Sequence, residues 1–132
     1  MRSLDTNVLV RYLMADDPRQ CAAAERVLEQ CHENQEQVFL SIPVLCETVW
    51  VLTRGYRESK PVVIEILKQI LDKDLFQVED HAAVRRSLQA YRDGKADFVD
   101  YLIGEVSGAA GCRDTVTFDR DLRGAPGFTV LA

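Results

Sequence analysis

Short apolar runs alternate along the chain with longer stretches of helical spacing. The short runs fall at residues 1–4, 37–40 (QVFL), 75–78 (LFQV), 114–117 (DTVT) and 127–131 (GFTVL), and each has the length of a strand. The longer stretches predict six helices. The first covers residues 7–14, and the second covers 18–33, opened by Asp17 as N-cap and Pro18 in the first helical position. A third starts at Ser41 and Pro43, runs to about Arg54 and stops at Gly55. Pro61 starts a fourth, to about Asp72. Asp80 caps a fifth, which runs to about Arg92 and is stopped by Gly94. The sixth runs from about Asp97 to Ala110, with Gly111 as its C-terminal stop.

Strands that alternate with helices predict βαβ units. The expected fold class is therefore α/β: a three-layer α/β/α sandwich with a mostly parallel central sheet. No repeat, low-complexity tract or linker interrupts it, so residues 1–132 are expected to form a single domain. The stretch VVIEILKQIL is apolar nearly all round, which predicts a helix buried on more than one side. Together with residues 43–56 it is the expected face of a homodimer.

Composition narrows the function classes. With 47% hydrophobic and 28% charged residues the chain reads as an ordinary globular protein. No apolar run is long enough to span a membrane, and Asp5 interrupts the N-terminus before a secretory h-region can form, so the expected location is cytoplasmic. The net charge of −5 argues against broad electrostatic binding of nucleic acid, but not against a nuclease that recruits a divalent metal. Cys21, Cys31, Cys46 and Cys112 form no CxxC and are expected to be buried free thiols. A zinc site on Cys31 and His32 would need two further ligands that the sequence does not offer.

The candidate chemistry lies in the acids. Asp5 follows the first strand, and Asp119 follows the fourth in TVTFDRDL. In open α/β sheets ligands bind beyond the carboxyl ends of the strands, so both acids are expected on that rim. Glu47 falls inside SIPVLCETVWVL, where its helical neighbours Pro43, Val44, Trp50 and Val51 are all apolar. A carboxylate on such a face calls for a salt bridge or a functional use. Asp97 and Asp100 share a face at the start of the sixth helix, where the helix dipole also favours them. Asp97 reads as its N-cap, which leaves Asp100 free. Gly104, one turn beyond Asp100, suggests close packing against another backbone. Clustered carboxylates without basic partners repel one another unless a cation is present, and hard oxygen donors suit Mg²⁺ or Mn²⁺. Phosphodiester hydrolysis is the natural chemistry of such a site.

LDTNVLVRYL, SIPVLCETVWVL, KADFVDYLIG and TFDRDL, in that order over essentially the whole chain, resemble the PIN-domain ribonucleases, and most of all the toxin subunit of VapBC-type toxin–antitoxin pairs. The resemblance implies a metal-dependent endoribonuclease using Mg²⁺ or Mn²⁺, with Asp5, Glu47, Asp100 and Asp119 as catalytic, metal-binding acids. It makes Asp97 an adjacent support or cap. Thr6 and Thr117 match the polar residues that hold the carboxylates or a metal-bound water, and Asn7 can hydrogen-bond locally at a helix start. It also implies an RNA substrate, a homodimer and inhibition by a cognate antitoxin. Arg120, beside Asp119, is the best candidate for a phosphate contact; Arg11, Arg54, Arg57 and Arg123 are others.

Other readings fit less well. An aspartate-dependent phosphatase of the haloacid dehalogenase type needs an acid where Asn7 stands. A response-regulator receiver needs an acidic pair near the first strand and a late Lys, whereas no Lys follows Lys95. The absence of GxxxxGK[ST] excludes a P-loop NTPase. A non-catalytic binding domain on the same fold would have no use for the acid set.

Overall fold

In the computed structural model, which describes all residues Met1–Ala132, five short strands alternate with six α-helices. The order is β1 (Arg2–Ser3), α1 (Thr6–Met14), α2 (Pro18–Glu33), β2 (Val38–Leu40), α3 (Ile42–Trp50), α4 (Lys60–Asp72), β3 (Phe76–Val78), α5 (His81–Asp93), α6 (Phe98–Ala109), β4 (Thr115–Thr117) and β5 (Phe128–Val130). A π-helical turn, Val51–Gly55, extends α3 to the predicted stop, and a 3₁₀ turn, Arg120–Leu122, follows β4. Every strand pairing is parallel, as the alternation of elements requires. The chain divides into two compact units, Met1–His81 and Ala82–Ala132.

The first unit holds a three-stranded sheet in the order β1-β2-β3. Within this sheet β2 is the central strand and β1 an edge. The helix starts follow local chemistry. The Asp17 carboxylate accepts the Gln20 N–H at 3.0 Å ahead of Pro18, and the Ser41 hydroxyl accepts the Val44 N–H at 3.4 Å. Leu9 and Val10 of α1, Val38 and Leu40 of β2, Leu45 of α3 and Leu67 of α4 are among its buried residues. α1 packs on α2 and α3, and α4 packs on β3.

Two expectations fail in this unit. α4 is not buried all round: Val63, Ile64, Leu67, Ile70 and Leu71 are buried, while Val62, Glu65, Lys68 and Gln69 face solvent. The four-residue spacing of Glu65 and Gln69, flanking Lys68, gives the helix a polar stripe and so an ordinary amphipathic burial. Arg11 is not a free cation. Its guanidinium donates to Gln20 at 2.6 Å, to Asp16 at 3.3 Å and to the Tyr56 hydroxyl at 3.0 Å, and that hydroxyl donates to Asp16 at 2.7 Å. The cluster ties α1, the loop before α2 and the residue after the π-helical turn into one brace.

In the second unit β4 pairs with β5, with Thr115 beside Phe128 and Thr117 beside Val130, and α6 packs on β4. Tyr91 meets Phe98 edge-on at 6.3 Å between ring centres, and Tyr101 meets Phe128 at 6.5 Å. Gly104 is required by the Phe128 ring rather than by a backbone: a Cβ there would stand 2.6 Å from that ring. Asp80 precedes α5 with a left-handed backbone, φ 48°. Cys21 and Cys31 are buried thiols, but Cys46 is half-buried. Cys112 is exposed, because it follows Gly111, whose left-handed φ of 95° turns the chain outward after α6. No helix is long and apolar enough to cross a membrane.

Candidate active site

The predicted site residues occupy element ends in both units. Asp5 lies two residues beyond β1 and is the N-cap residue of α1, with extended backbone at φ −74° and ψ 158°. Its carboxylate is exposed and makes no capping hydrogen bond, so it is free for other chemistry. Thr6, the first residue of α1, is buried. Asn7 is exposed, and its amide makes none of the local bonds the sequence suggested.

Glu47 sits mid-way along α3. Its neighbours at three and four residues are apolar as predicted, yet Pro43 and Trp50 are exposed and Glu47 faces solvent with them. No Lys or Arg pairs with the carboxylate, so the salt bridge that its apolar neighbours made one of the alternatives does not form. Glu79, at the end of β3, has a structural role: its Oε1 accepts the Ile42 N–H at 2.8 Å and fixes the start of the Glu47 helix.

In the second unit the structure gathers acids. Asp97 is the N-cap residue of α6, with an extended backbone at φ −80° and ψ 157°. Asp100 is not free of capping duty, as the sequence suggested. Its Oδ2 accepts the Asp97 N–H at 3.1 Å, the returning arm of a capping box. One oxygen is thereby engaged and the other is left over. Asp119 likewise follows its strand by two residues. Its Oδ1 accepts the Asp121 N–H at 2.9 Å, and its own N–H donates to the Thr117 hydroxyl at 3.0 Å. Thr117 therefore holds the backbone of Asp119 rather than its carboxylate.

Burial raises the Asp100 carboxyl above the ordinary carboxylate range, and the charges of Asp97, Asp119 and Asp121 push it further, against the lowering effect of the Asp97 N–H. Asp121 is the acid that sequence reasoning missed. Its signal was its two-residue spacing from Asp119, which a tight 3₁₀ turn converts into proximity. Neither unit by itself brings three His, Cys, Asp or Glu side chains close enough to hold a metal ion. The donor chemistry nevertheless fits a hard divalent cation. The donors are carboxylate oxygens, none in an ion pair with Lys or Arg, and the charges of Asp97, Asp119 and Asp121 help to raise the Asp100 carboxyl.

The comparisons with known proteins decide the family. The family model described as "PIN domain" matches residues 3–127. The chain belongs to the PIN-domain family. Membership carries the fold class read from the sequence, a three-layer α/β/α sandwich on parallel strands. The chain is also 28% identical, over 120 residues, to a VapC ribonuclease of Aquifex aeolicus (strain VF5), an alignment that covers 91% of this chain and 88% of that protein.

Proposed function

We propose that this PIN-domain chain is a divalent-metal-dependent endoribonuclease and the toxin of a toxin–antitoxin pair. Asp5, Glu47, Asp100 and Asp119 form its catalytic, metal-binding set. The observation that carries the reading is the half-buried Asp100 carboxyl beside Asp97, Asp119 and Asp121, with no basic partner. Carboxylates so placed destabilise the metal-free protein and are explained by a cation. Similarity to the Aquifex VapC ribonuclease supports RNA as substrate, and the toxin-like motifs support a cognate antitoxin partner. The family match runs through both compact units and so supports one domain over residues 1–132. Trp50 is 60% exposed and Val62 40%, which supports a homodimer on this face, to be checked by sedimentation velocity.

Hydrolysis of a phosphodiester forms one P–O bond to water and breaks another. The water must lose a proton, and the leaving oxygen must gain one. Bound Mg²⁺ or Mn²⁺ would acidify that water and offset charge on the phosphate. The protein's own part is to place acceptors. Asp100 is steadied by the Asp97 N–H, and Asp119 by its 3₁₀ turn and Thr117. The free Asp5 and Glu47 carboxylates complete the set, able to orient water and to take its proton. Arg120 is the proposed phosphate contact.

The test is to incubate purified protein with total cellular RNA, with and without Mg²⁺, and to map the ends produced. Discrete metal-dependent cuts are expected. RNA left intact in Mg²⁺ and in Mn²⁺ would overturn the reading.

A further inference from the structure

We propose that Glu79, the residue after β3, is a positioning residue for RNA cleavage: its hydrogen bond to the first turn of α3 holds Glu47 where the reaction needs it, an inference that rests on the ribonuclease reading above.

An α-helix begins with N–H groups that have no partner inside it. In α3 each donor of the first turn has a known fate. Ile42 donates to the Glu79 Oε1 at 2.8 Å, Pro43 has no N–H, and Val44 donates to the Ser41 hydroxyl at 3.4 Å. Leu45 already donates to the Ser41 carbonyl, at 3.1 Å. Glu79 thus makes the shorter of the two side-chain bonds, and the one that comes from another element. The first turn of α3 holds no acid of its own, so Glu79 also brings the negative charge that a helix N-terminus favours. The backbone of Glu79 reaches the same corner, where its N–H donates to the Leu40 carbonyl at 2.9 Å. The two bonds straddle Ser41, one on the residue before it and one on the residue after. They pin the β2–α3 corner to the end of β3. No Lys or Arg pairs with the Glu79 carboxylate and competes for it.

Glu47 depends on that corner more than the other acids depend on theirs. Asp100 accepts the Asp97 N–H and Asp119 accepts the Asp121 N–H, so each of those carboxylates is steadied by a bond of its own. The Glu47 carboxylate has neither a hydrogen bond nor an ion pair, and only its helix sets its place. Glu47 lies five residues beyond Ile42, little more than one helical turn. The far end of the helix fixes the register less well, because at Val51 it passes into a π-helical turn. Displacing a catalytic group by about 1 Å can cost roughly 10²-fold in rate, so a bond that fixes the start of α3 is felt at Glu47.

The experiment is a double-mutant cycle on Glu79 and Glu47, read both as single-turnover cleavage of a short RNA at saturating Mg²⁺ and as melting temperature. The variants are Glu79→Ala, Glu79→Gln, Glu47→Gln, and Glu79→Ala combined with Glu47→Gln. Both positions are exposed, and circular dichroism confirms folding. Glu79→Ala is expected to slow cleavage by about 10–100-fold, the usual effect of losing a group that orients a metal-site residue. The protein concentration that half-saturates the rate should not change. Glu79→Gln keeps an oxygen for the Ile42 N–H and should recover most of the lost rate. In the Glu47→Gln background, Glu79→Ala should slow cleavage no further, while it lowers the melting temperature by the same amount in both backgrounds. Equal slowing in the two backgrounds would mean that Glu79 only supports the fold, and would overturn the proposal. So would a Glu79→Ala variant as fast as the parent, or a Gln variant as slow as the Ala variant. A parent that leaves RNA uncut in Mg²⁺ would overturn the ribonuclease reading and the proposal with it, whereas the other outcomes overturn the proposal alone.

Discussion

At Asp100 one carboxylate oxygen closes the N-terminus of α6, while the group as a whole is half-buried among like charges. The two roles separate by substitution. Asp100→Asn keeps an oxygen acceptor for the Asp97 N–H and removes the charge. Asp100→Ala removes both. The raised carboxyl means that the metal-free folded state holds the Asp100 proton more tightly than the unfolded chain does. That difference stabilises the parent below the ordinary carboxylate pKa of about 3.8 and is lost as pH rises through the raised folded-state value. At neutral pH without metal, the Asn variant should therefore melt no lower than the parent, and it should lack this contribution to the pH dependence. The Ala variant should lose about 0.5–1.5 kcal/mol relative to Asn, the worth of one hydrogen bond. RNA cleavage should fall at least about 10²-fold in both. Thermal melts of the two variants from acid to neutral pH are the check. An Asn variant that melts well below the parent would show the charge to be structural.

The brace of Arg11, Asp16 and Tyr56 makes its prediction at the level of elements, because it ties α1 to the turn that ends the α3 segment. The Tyr56 hydroxyl, with Arg11 helping, lowers the Asp16 carboxyl, and the same bond to Asp16 raises the Tyr56 phenol. The lowered acid stabilises the fold above its unfolded pKa of about 3.8 and loses that contribution as pH falls through the lower folded-state value. The raised phenol stabilises the fold below its ordinary pKa of about 10 and loses that contribution as pH rises through the higher one. Tyr56→Phe should flatten the stability profile at both ends, as measured by denaturant unfolding at acid, neutral and alkaline pH. An unchanged profile would mean that the cluster is ornamental. What the sequence discloses at this scale depends on range. Asp17-Pro18 and Ser41 declare their helices because a cap is a contact of a few residues. Gly104 states that space is short without saying that the Phe128 ring fills it. The apolar company of Glu47 was readable, but not that Pro43 and Trp50 are exposed, because an apolar face and a buried face look alike in one dimension. The acids of the candidate site were readable as residue types, and their assignment came from motif order. The engagement of Asp100 with Asp97, and the approach of Asp121, depend on backbone geometry that spacing does not encode.

For the whole molecule, the central proposal is functional: Asp5, Glu47, Asp100 and Asp119 act as one catalytic set. Residues that work as a unit are not additive, since losing one leaves little for the next loss to remove. The most direct test is single-turnover cleavage of a short RNA at saturating Mg²⁺ by the parent, Asp5→Asn, Asp119→Asn and the double variant, each confirmed folded by circular dichroism. Each single substitution is predicted to slow cleavage at least about 10²-fold, and the double variant should be within a few-fold of the slower single. Single variants that cut at the parental rate, or losses that multiply in the double variant, would contradict the account.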